Sequence, residues 1–292
     1  MKLSIIIPTF NNQKELKENL YALYKSDFKD FNITVIDDAS TDNTKEMIEK
    51  NFPKISYIRN KKNQGPAYSR NIGIKQNINK SDYLLFLDSD VEIAKNTIHE
   101  LYNSIKSKTH IAAATPTVYF FDDKTKIQYS IVDVGLITGI NYSKKYERKD
   151  QISVSVKSMG GNFIIKSKIL KEIGLFDERY KIYYEDADIA ARIIKAGYKI
   201  LYVPKAKIWH KYPLLNEVDA NKRWLSHAYL TSRNKLIFMK KHSKHLYLYY
   251  LLVPIYLSFY IFKAIKYRQF KAIKEFICGI IDGLNLNVKH DK

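Results

Sequence analysis

Short apolar segments alternate with helix-like segments through the first hundred residues, and this alternation restricts the fold more than any other feature of the chain. Apolar runs at residues 3–7 and 32–37 are typical of buried parallel strands. Leucines at helical spacing across residues 12–25 predict an amphipathic helix between them. The same order continues with predicted strands at 55–59 and 83–87 and predicted helices at 42–50 and 66–76. The pattern therefore predicts an α/β fold with a mostly parallel central sheet flanked by helices.

Acidic residues stand where two of these predicted strands end. Asp37 and Asp38 follow the second strand, and Asp88 and Asp90 follow the fourth. Sheets of this kind bind their ligands at the carboxyl ends of the strands. Two carboxylates separated by one residue can hold a hard divalent cation beside a diphosphate, so Asp88 and Asp90 predict a metal site. The alternative is an ordinary acidic turn.

A nucleobase site is predicted beside the second strand. A carboxylate there can accept the imide N–H of a uracil or thymine ring, so we expect Asp37 or Asp38 to reach the base. Ser40 or Thr41 is then expected to cap the following helix. Arg70, on the third predicted helix, can offer its planar guanidinium group to a phosphate or a base. The alternative for Arg70 is a solvent-exposed helical residue.

A cluster of carboxylates begins a further predicted helix at 185–196. The helix dipole favours Glu185 and Asp186 at this position, and either one can act as general base toward an acceptor hydroxyl. Trp209 and His210 come after the next predicted strand. His210 is a candidate third metal ligand, although a single histidine is more often structural.

Positive charge and apolar character coincide near the end of the chain. The 292 residues carry a formal net charge of +19, and residues 222–292 hold 14 Lys and Arg against 3 Asp and Glu, a net charge of +11. Such charge suits nucleic acid or an anionic membrane. Residues 246–262 are uncharged and apolar with lysines on both sides, which favours lipid over a groove for phosphates. We therefore expect a membrane partner and no nucleic acid.

The apolar segment at 246–262 is short for a membrane-spanning helix. As a helix it would measure about 25 Å, against a hydrocarbon core of roughly 30 Å. Its tyrosines prefer the membrane interface, and Pro254 should kink the helix. We expect peripheral or monotopic association with the cytoplasmic face of a membrane. The alternative is a buried helical hairpin that covers the central sheet or forms a homodimer contact.

Other enzyme classes are excluded by the motifs that the chain lacks. Neither G-x-x-x-x-G-K-[ST] nor G-x-G-x-x-G occurs, which argues against a P-loop enzyme and a dinucleotide-binding dehydrogenase. The single cysteine, Cys278, excludes a disulfide within the chain.

Six segments, in order, resemble the inverting family 2 glycosyltransferases of the GT-A fold. They are SIIIPTFNN (4–12), VIDDASTDNT (35–44), NQGPAYSRNIGI (63–74), YLLFLDSD (83–90), MGGNFIIKSKILKEIGLFDERY (159–180) and YEDADIAARIIKAGYKI (184–200). The resemblance implies the GT-A nucleotide-diphospho-sugar transferase fold over residues 1–215, with a nucleotide-binding half to about 110 and an acceptor half over 111–215. Residues 216–292 then form a helical, basic and apolar membrane-associating extension. Within it, SRNKL (232–236) is similar to the rhamnosyltransferase-like branch, which acts in cell-surface polysaccharide or glycolipid assembly.

The resemblance also assigns roles to single residues. It implies a catalytic base at Asp186 with Glu185 beside it, and a Mn²⁺ or Mg²⁺ site at Asp88, Asp90 and His210. It further implies nucleotide contacts by Pro8, Thr9, Asp37, Asp38, Gly65, Arg70 and Ser89, and contacts to acceptor or sugar by Gly160, Gly161 and Trp209.

The implied reaction is a single in-line displacement that inverts the anomeric carbon. The metal and Arg70 would hold the diphosphate of a UDP-, dTDP- or GDP-sugar, while Asp186 takes a proton from a hydroxyl of a glycan or lipid-linked acceptor. This describes a metal-dependent hexosyl- or deoxyhexosyltransferase. The alternative is a basic membrane- or nucleic-acid-binding scaffold with an inactive glycosyltransferase-like fold, against which the retained carboxylates argue.

Overall fold

The computed structural model describes residues 2–145 and 153–287, which divide into two compact units. The first, here called the sheet unit, comprises Met1–Asp133, Ser143–Lys181 and Glu185–Pro213. The second, here called the helical unit, comprises Val134–Tyr142, Ile182–Tyr184 and Leu214–Lys292. The helical unit thus includes two short segments from earlier in the chain, which the expected division after residue 215 does not contain.

Strands and helices alternate in the first part of the sheet unit. They are β1 (Leu3–Thr9), α1 (Gln13–Tyr24), β2 (Phe31–Asp37), α2 (Thr44–Asn51), β3 (Ser56–Arg59), α3 (Pro66–Asn77), β4 (Tyr83–Phe86), β5 (Val91–Ile93) and α4 (Thr97–Ile105). Strands dominate afterwards, with β6 (Ile111–Phe120), β7 (Ile127–Tyr129), β8 (Ile131–Val134), β9 (Asn141–Lys144), β10 (Val154–Val156) and β11 (Phe163–Lys166). The last elements are α5 (Ser167–Ile173), a 3₁₀ helix (Glu178–Tyr180), α6 (Glu185–Lys195) and β12 (Lys199–His210).

The central sheet is mostly parallel, and this confirms the predicted fold class. Its strand order is β10-β12-β6-β11-β4-β1-β2-β3, with β5 beside β12 and β7 beside β6. The pairs β1–β2, β1–β4, β2–β3 and β6–β12 are parallel, whereas β11 runs antiparallel to both β4 and β6. The carboxyl ends of β1, β2 and β4 therefore share one edge of the sheet.

Helices cover both faces of this sheet. Side chains on both faces of each strand are therefore buried, and the strand sequences are continuously apolar. In β1, Ile5 belongs to a fully buried cluster that includes Leu16 and Leu20 of α1. The next residue, Ile6, points to the opposite face and belongs to a second buried cluster with Ile74 of α3. If β1 had apolar residues on only one face, one of these two helices would have no apolar surface of the strand to pack against.

The second helix begins two residues later than predicted and has a different cap. It starts at Thr44, whose backbone N–H and hydroxyl both donate to Asp42 Oδ1, at 3.2 and 2.6 Å. Ser40 Oγ instead accepts from the N–H of Asn11 at 3.0 Å. The prediction that Ser40 or Thr41 caps α2 was therefore wrong, because the Ser40 hydroxyl and the Thr41 backbone and hydroxyl bind the loop after β1.

The helical unit consists mainly of four helices, which are α7 (Glu217–Ser226), α8 (Ala228–His242), α9 (Leu246–Lys266) and α10 (Lys271–Asn285). Helices α8 and α10 approach closely at Gly279, where a Cβ atom would overlap the Ser232 hydroxyl and the Tyr229 carbonyl. A side chain at residue 279 would therefore push these two helices apart.

Candidate active site

Polar residues from three parallel strands meet at one edge of the sheet unit. β1 ends at Thr9, β2 ends at Asp37, and Asp88 follows the end of β4. Because β1 pairs in parallel with both β2 and β4, the loops after all three strands leave the sheet on the same side. The structure thus brings together most of the residues that the sequence analysis selected for donor binding.

Asp38 shapes the loop that leads into α3. Its carboxylate accepts the backbone N–H groups of Gln64 and Gly65, at 3.1 and 2.7 Å, and the side-chain amide of Asn60 at 2.7 Å. Gly65 has a positive φ of 89°, and a Cβ atom there would lie 2.7 Å from the Lys181 carbonyl oxygen. A residue larger than glycine at 65 would displace the loop that Asp38 holds.

Asp37 has a structural role, which corrects the prediction that it contacts the nucleotide. Its side chain is fully buried. Oδ1 accepts the N–H of Ser40 at 2.7 Å, while Oδ2 accepts the hydroxyl of Tyr57 and lies 3.6 Å from the guanidinium of Arg59. A carboxylate that is enclosed in this way holds β2 to β3 and to the following loop, so it offers no oxygen to a base.

Three further predicted nucleotide residues lie at the same edge. Pro8 is buried within β1, and Ser89 Oγ accepts the side-chain amide of Asn12 at 2.9 Å. Thr9 is 3% exposed, and its hydroxyl has no hydrogen-bond partner among the residues that the structure describes. A buried hydroxyl without a partner is costly unless a ligand satisfies it.

Arg70 links two carboxylates across the site. Its Nη2 donates to Asp88 Oδ1 at 2.9 Å and its Nη1 donates to Glu185 Oε1 at 3.0 Å. The side chain is 2% exposed, so the alternative of a solvent-exposed helical arginine is wrong. Burial works to lower the pKa of Arg70, but the charges of Asp88 and Glu185 raise it above its ordinary value. The guanidinium therefore stays charged and fixes both acids.

Asn162 is a site residue that the sequence analysis missed. Its Nδ2 donates to Asp88 Oδ2 and its Oδ1 accepts the N–H of Asp88, both at 2.9 Å. Gly161, just before it, has no room for a side chain, since a Cβ atom would lie 2.9 Å from Arg70 Nη2. The sequence signal for Asn162 is its position directly after the two glycines of the M-G-G-N segment.

Asp90 and His210 form a pair on the other side of Ser89. His210 Nε2 lies 3.3 Å from Asp90 Oδ2, and Nδ1 lies 2.9 Å from Gln128 Oε1. Burial works to raise the pKa of Asp90, but the hydrogen bond and charge of His210 hold it below its ordinary value. β12 extends to His210, so this histidine ends the strand and does not follow it as predicted.

The residues present fit a divalent cation in part. A carboxylate and an imidazole in contact are a suitable donor set, and a Gln oxygen behind the imidazole can fix its tautomer. Asp88 has both carboxylate oxygens engaged by Arg70 and Asn162. Across residues 2–145 and 153–287, no group of three or more His, Cys, Asp or Glu side chains is placed to hold a metal. Asp90 and His210 are therefore the residues suited to a metal, with further ligands left to diphosphate and water.

Glu185 and Asp186 lie at the start of α6 as predicted, and burial raises the pKa of both. Burial, followed by the charge of Asp186, raises the pKa of Glu185. Burial also raises the pKa of Asp186, although Arg70 opposes it. Glu185 is 6% exposed and is bound to Arg70, whereas Asp186 is half-buried and its Oδ1 accepts the N–H of Ala187. Asp186 is thus the more accessible of the two carboxylates.

Gly160 and Trp209, which were both predicted to contact the acceptor or sugar, have different neighbours. Gly160 lies against Tyr129, whose hydroxyl would be 2.9 Å from an added Cβ atom. Trp209 packs against Lys124, and its contact with an acceptor stays a prediction. Its indole N–H donates to the carbonyl of Lys124 at 3.4 Å, and the Lys124 ammonium lies 4.9 Å from its ring. Because neighbouring side chains of a strand face opposite ways, Trp209 points away from the side that presents His210.

A family profile described as Glycosyl transferase family 2 matches residues 4–174, which include the Asp38 loop, Arg70, Asp88, Asp90 and Asn162. The chain belongs to glycosyl transferase family 2. This confirms the family expected from the sequence, while the rhamnosyltransferase-like branch stays a prediction.

Two curated relatives of this family 2 chain are named for the acceptors to which they transfer a sugar. It is 37% identical over 105 residues to the poly(ribitol-phosphate) beta-N-acetylglucosaminyltransferase TarS of Staphylococcus aureus (strain Mu50), covering 34% of this chain and 18% of that protein. It is 36% identical over 104 residues to the GalNAc(5)-diNAcBac-PP-undecaprenol beta-1,3-glucosyltransferase of Campylobacter jejuni, covering 34% of this chain and 33% of that one. The chain thus spans a minor part of these relatives' lengths.

Solved structures share the fold of this glycosyl transferase family 2 chain. The mannosyltransferase PcManGT from Pyrobaculum calidifontis, in complex with GDP-Man and Mn²⁺, has a TM-score of 0.59 at 17% identity, covering 97% of this chain and 87% of that chain. S. aureus TarS 1–349 in complex with UDP-GlcNAc has a TM-score of 0.56 at 22% identity, covering 82% and 70%. At these identities the likeness establishes the GT-A fold.

Proposed function

We propose that this chain is an inverting glycosyltransferase that moves a sugar from a nucleotide-diphosphate donor to a hydroxyl of a glycan or lipid-linked acceptor. The observation that carries the proposal is the buried Arg70, which joins Asp88 of the strand edge to Glu185 beside Asp186. Donor-side and acceptor-side acids are thereby held in one network. The named activities of the S. aureus and C. jejuni relatives support a role in cell-surface polysaccharide or glycolipid assembly.

The nucleoside would bind at the edge formed by β1 and β2. Thr9 would line this edge, where its buried hydroxyl has no hydrogen-bond partner among the described residues. Asp38 and Gly65 shape the wall of this site, and Asp38 has much of its hydrogen-bonding capacity already used by backbone N–H groups. Its main contribution is therefore to hold the loop against which the base lies.

Asp186 would act as general base toward the acceptor hydroxyl. Its raised pKa brings it nearer to neutral pH, where a carboxylate accepts a proton more readily than an ordinary aspartate does. Glu185, bound to Arg70, is a positioning residue. A single displacement at the anomeric carbon inverts its configuration.

Asp90 and His210 would hold a Mn²⁺ or Mg²⁺ ion. When bound, such an ion neutralises charge on the departing diphosphate. Asp88 would contribute by fixing Arg70 close to the same group, since Arg70 Nη2 is only 2.9 Å from its carboxylate.

The helical unit would hold the enzyme at the cytoplasmic face of a membrane as a peripheral or monotopic protein. Helix α9 has 21 residues, and a stretch of 18 of them has a mean hydropathy of 1.6, so it is long and apolar enough to cross a membrane. Its exposed residues recur at helical spacing, with Tyr247, Leu251, Ile255, Phe259 and Phe262 all at least 50% exposed. Tyr249 and Tyr260 are buried within the unit. One apolar exposed side and one packed side favour a helix that lies on the bilayer.

A donor-hydrolysis screen tests the proposed activity. The full chain is incubated with UDP-, dTDP- and GDP-sugars, with Mn²⁺ or with excess chelator, and release of the nucleoside diphosphate is measured. We expect one class of donor to be hydrolysed, and only with the metal present. Absence of hydrolysis and of transfer with every donor, from protein that is folded by circular dichroism, would contradict the proposal.

A further inference from the structure

An apolar cavity lies entirely within the helical unit, apart from the residues assigned to catalysis. Its volume is about 430 Å³. Aromatic and aliphatic side chains form most of its wall, among them Tyr184, Trp224, Val253, Tyr260 and Phe276. Since an apolar cavity of about 150 Å³ accommodates benzene, this one has room for one hydrocarbon chain.

One cation lines this apolar cavity. Lys235 of α8 is half-buried, and its ammonium lies 4.9 Å from the ring centroid of Tyr256. Within the described part of the chain, no carboxylate or hydrogen-bond acceptor pairs with this ammonium group. Burial lowers the pKa of Lys235 to about 8. An ammonium group in apolar surroundings without a counter-ion is costly, and an anion bound beside it would remove that cost.

The cavity reaches the exposed side of α9. Ile255 and Phe259 line it and are 61% and 50% exposed. They lie on the same helix as Leu251 and Phe262, which are 70% and 63% exposed. A ligand chain could therefore enter from the surface that we propose to lie on the membrane, without crossing a polar shell.

The cavity wall is also linked to the proposed base through the chain itself. Tyr184 lines the cavity, and Glu185 and Asp186 follow it directly in sequence. The backbone of the cavity wall therefore continues directly into the first residue of α6.

We propose that this cavity binds the single hydrocarbon chain of a lipid phosphate, with Lys235 contacting the phosphate, and that this lipid carries the acceptor. The inference rests on the proposed function and adds the chemical class of the acceptor. At about 150 Å³ for the six carbons of benzene, a volume of about 430 Å³ holds roughly 17 carbons, which suits one chain and not the two of a diacyl lipid. Isoprenoid and straight-chain lipid phosphates both have one hydrocarbon chain that ends in a phosphate, and this is the chemistry that the cavity would recognise.

Equilibrium binding of defined probes to the full chain tests this inference. Farnesyl phosphate and dodecyl phosphate are titrated below their critical micelle concentrations, with farnesol and inorganic phosphate as comparisons. We expect at least one lipid phosphate to bind at least tenfold more tightly than farnesol, and inorganic phosphate to bind weakly. Tighter binding of farnesyl phosphate assigns an isoprenoid chain, and equal binding of the two assigns any single-chain lipid phosphate.

Substitutions separate the head group from the chain. Lys235→Met should weaken binding of the lipid phosphates about tenfold or more and leave farnesol binding unchanged, whereas Lys235→Arg should retain binding. Val253→Trp should fill the cavity and weaken all three lipids. Lys244→Met removes an exposed lysine outside the cavity wall and is the matched control. Circular dichroism establishes that each variant is folded.

The inference fails if neither lipid phosphate binds more tightly than farnesol, or if Lys235→Met in folded protein binds them as the wild type does. Donor hydrolysis by the wild-type chain is measured in parallel. Hydrolysis without lipid-phosphate binding overturns only the cavity assignment. Absence of hydrolysis with every donor overturns the proposed function, whatever the lipid result.

Discussion

The side chain of Arg70 lies between Asp88 and Glu185 and is almost completely removed from solvent. Such a buried charge is tolerated only with well-placed partners, and removing one partner leaves the other uncompensated. The arrangement fixes Glu185 at one guanidinium nitrogen and leaves Asp186 outside the pair. Two adjacent carboxylates are thereby given different surroundings.

The first residue-scale prediction concerns the general base. Asp186→Asn should reduce sugar transfer by about 10²–10⁴-fold while nucleoside diphosphate binding persists, because the base contacts the acceptor and not the donor. Transfer and nucleotide binding are measured on the same preparation, with the exposed Glu46→Gln as control. Near-normal transfer by Asp186→Asn together with its loss in Glu185→Gln would show that Glu185 is the base.

The ionisation of Glu185 should make stability depend on pH. Burial and the charge of Asp186 raise the pKa of Glu185 above its ordinary value of 4.5. A carboxyl group with a raised pKa stabilises the fold while it is protonated and loses that contribution as the pH rises through the folded-state pKa. We expect the free energy of unfolding to fall as the pH rises from 4.5 toward neutrality, and to fall less in Glu185→Gln. Urea unfolding across this range measures both slopes, and equal slopes would contradict the assignment.

We expect metal dependence to rest on Asp90 and His210. Asp90→Asn should lower donor hydrolysis by orders of magnitude and raise the Mn²⁺ concentration needed, with little change in the melting temperature because the Asp90 side chain is 34% exposed. Hydrolysis is measured against Mn²⁺ concentration, and Asp123→Asn removes a surface carboxylate as control. Full activity in excess chelator would refute the metal role.

At the scale of elements, the segment before α6 has an unusual backbone. Lys181, Tyr183 and Tyr184 all have positive φ, which is strained for residues with large side chains. Asn234 of α8 is fully buried and donates to the carbonyls of Ile182 and Tyr183, at 2.8 and 3.1 Å. The asparagine of the S-R-N-K-L segment, noted in the sequence for its resemblance alone, therefore holds the backbone that leads to the proposed base.

Asn234 is thus expected to position α6 without touching a substrate. Asn234→Ala should lower kcat for transfer about tenfold and leave the KM for the donor little changed, and loss of the buried hydrogen bonds should cost about 1–3 kcal/mol of stability. Steady-state kinetics and urea unfolding measure the two effects. Asn221→Ala, on α7 of the same unit, is the control. A stability loss with unchanged kcat would reduce Asn234 to a purely structural residue.

At the scale of the whole molecule, charge and apolar surface coincide in the helical unit. Exposed apolar residues include Leu251 and Phe262 of α9, Ile281 of α10 and Phe270 just before α10. The basic residues of 222–292 lie in the same region of the chain. Because α10 packs closely on α8 at Gly279, removing α9 and α10 would uncover a core. Point substitutions on the exposed side of α9 are therefore a cleaner test of membrane association than a deletion.

The double variant Leu251→Lys and Phe262→Lys should abolish binding of the protein to membranes. Both side chains are more than 60% exposed and lie outside the cavity wall, so the fold should tolerate the change. Flotation with anionic and neutral vesicles measures binding, and Ile194→Lys, on α6 of the sheet unit, is the control. If the double variant floats as the wild type does, α9 is not the membrane contact.

The sequence by itself determined the α/β class, the order of the first strands and helices, and the edge of the sheet where the site lies. These follow from local pattern, because continuous apolar runs must be buried on both faces and parallel strands end on the same side. It also determined the family, since six short motifs in order carry more information than any one of them.

Only the tertiary structure decided what surrounds each of the selected residues. It enclosed Asp37 between Ser40, Tyr57 and Arg59, turned Trp209 away from His210, and buried Arg70 between two acids. It also brought in Asn162 and Asn234, which are distant in sequence from the groups they hold. Hydrogen-bond partners and burial depend on residues far apart in the chain, so local spacing carries no record of them.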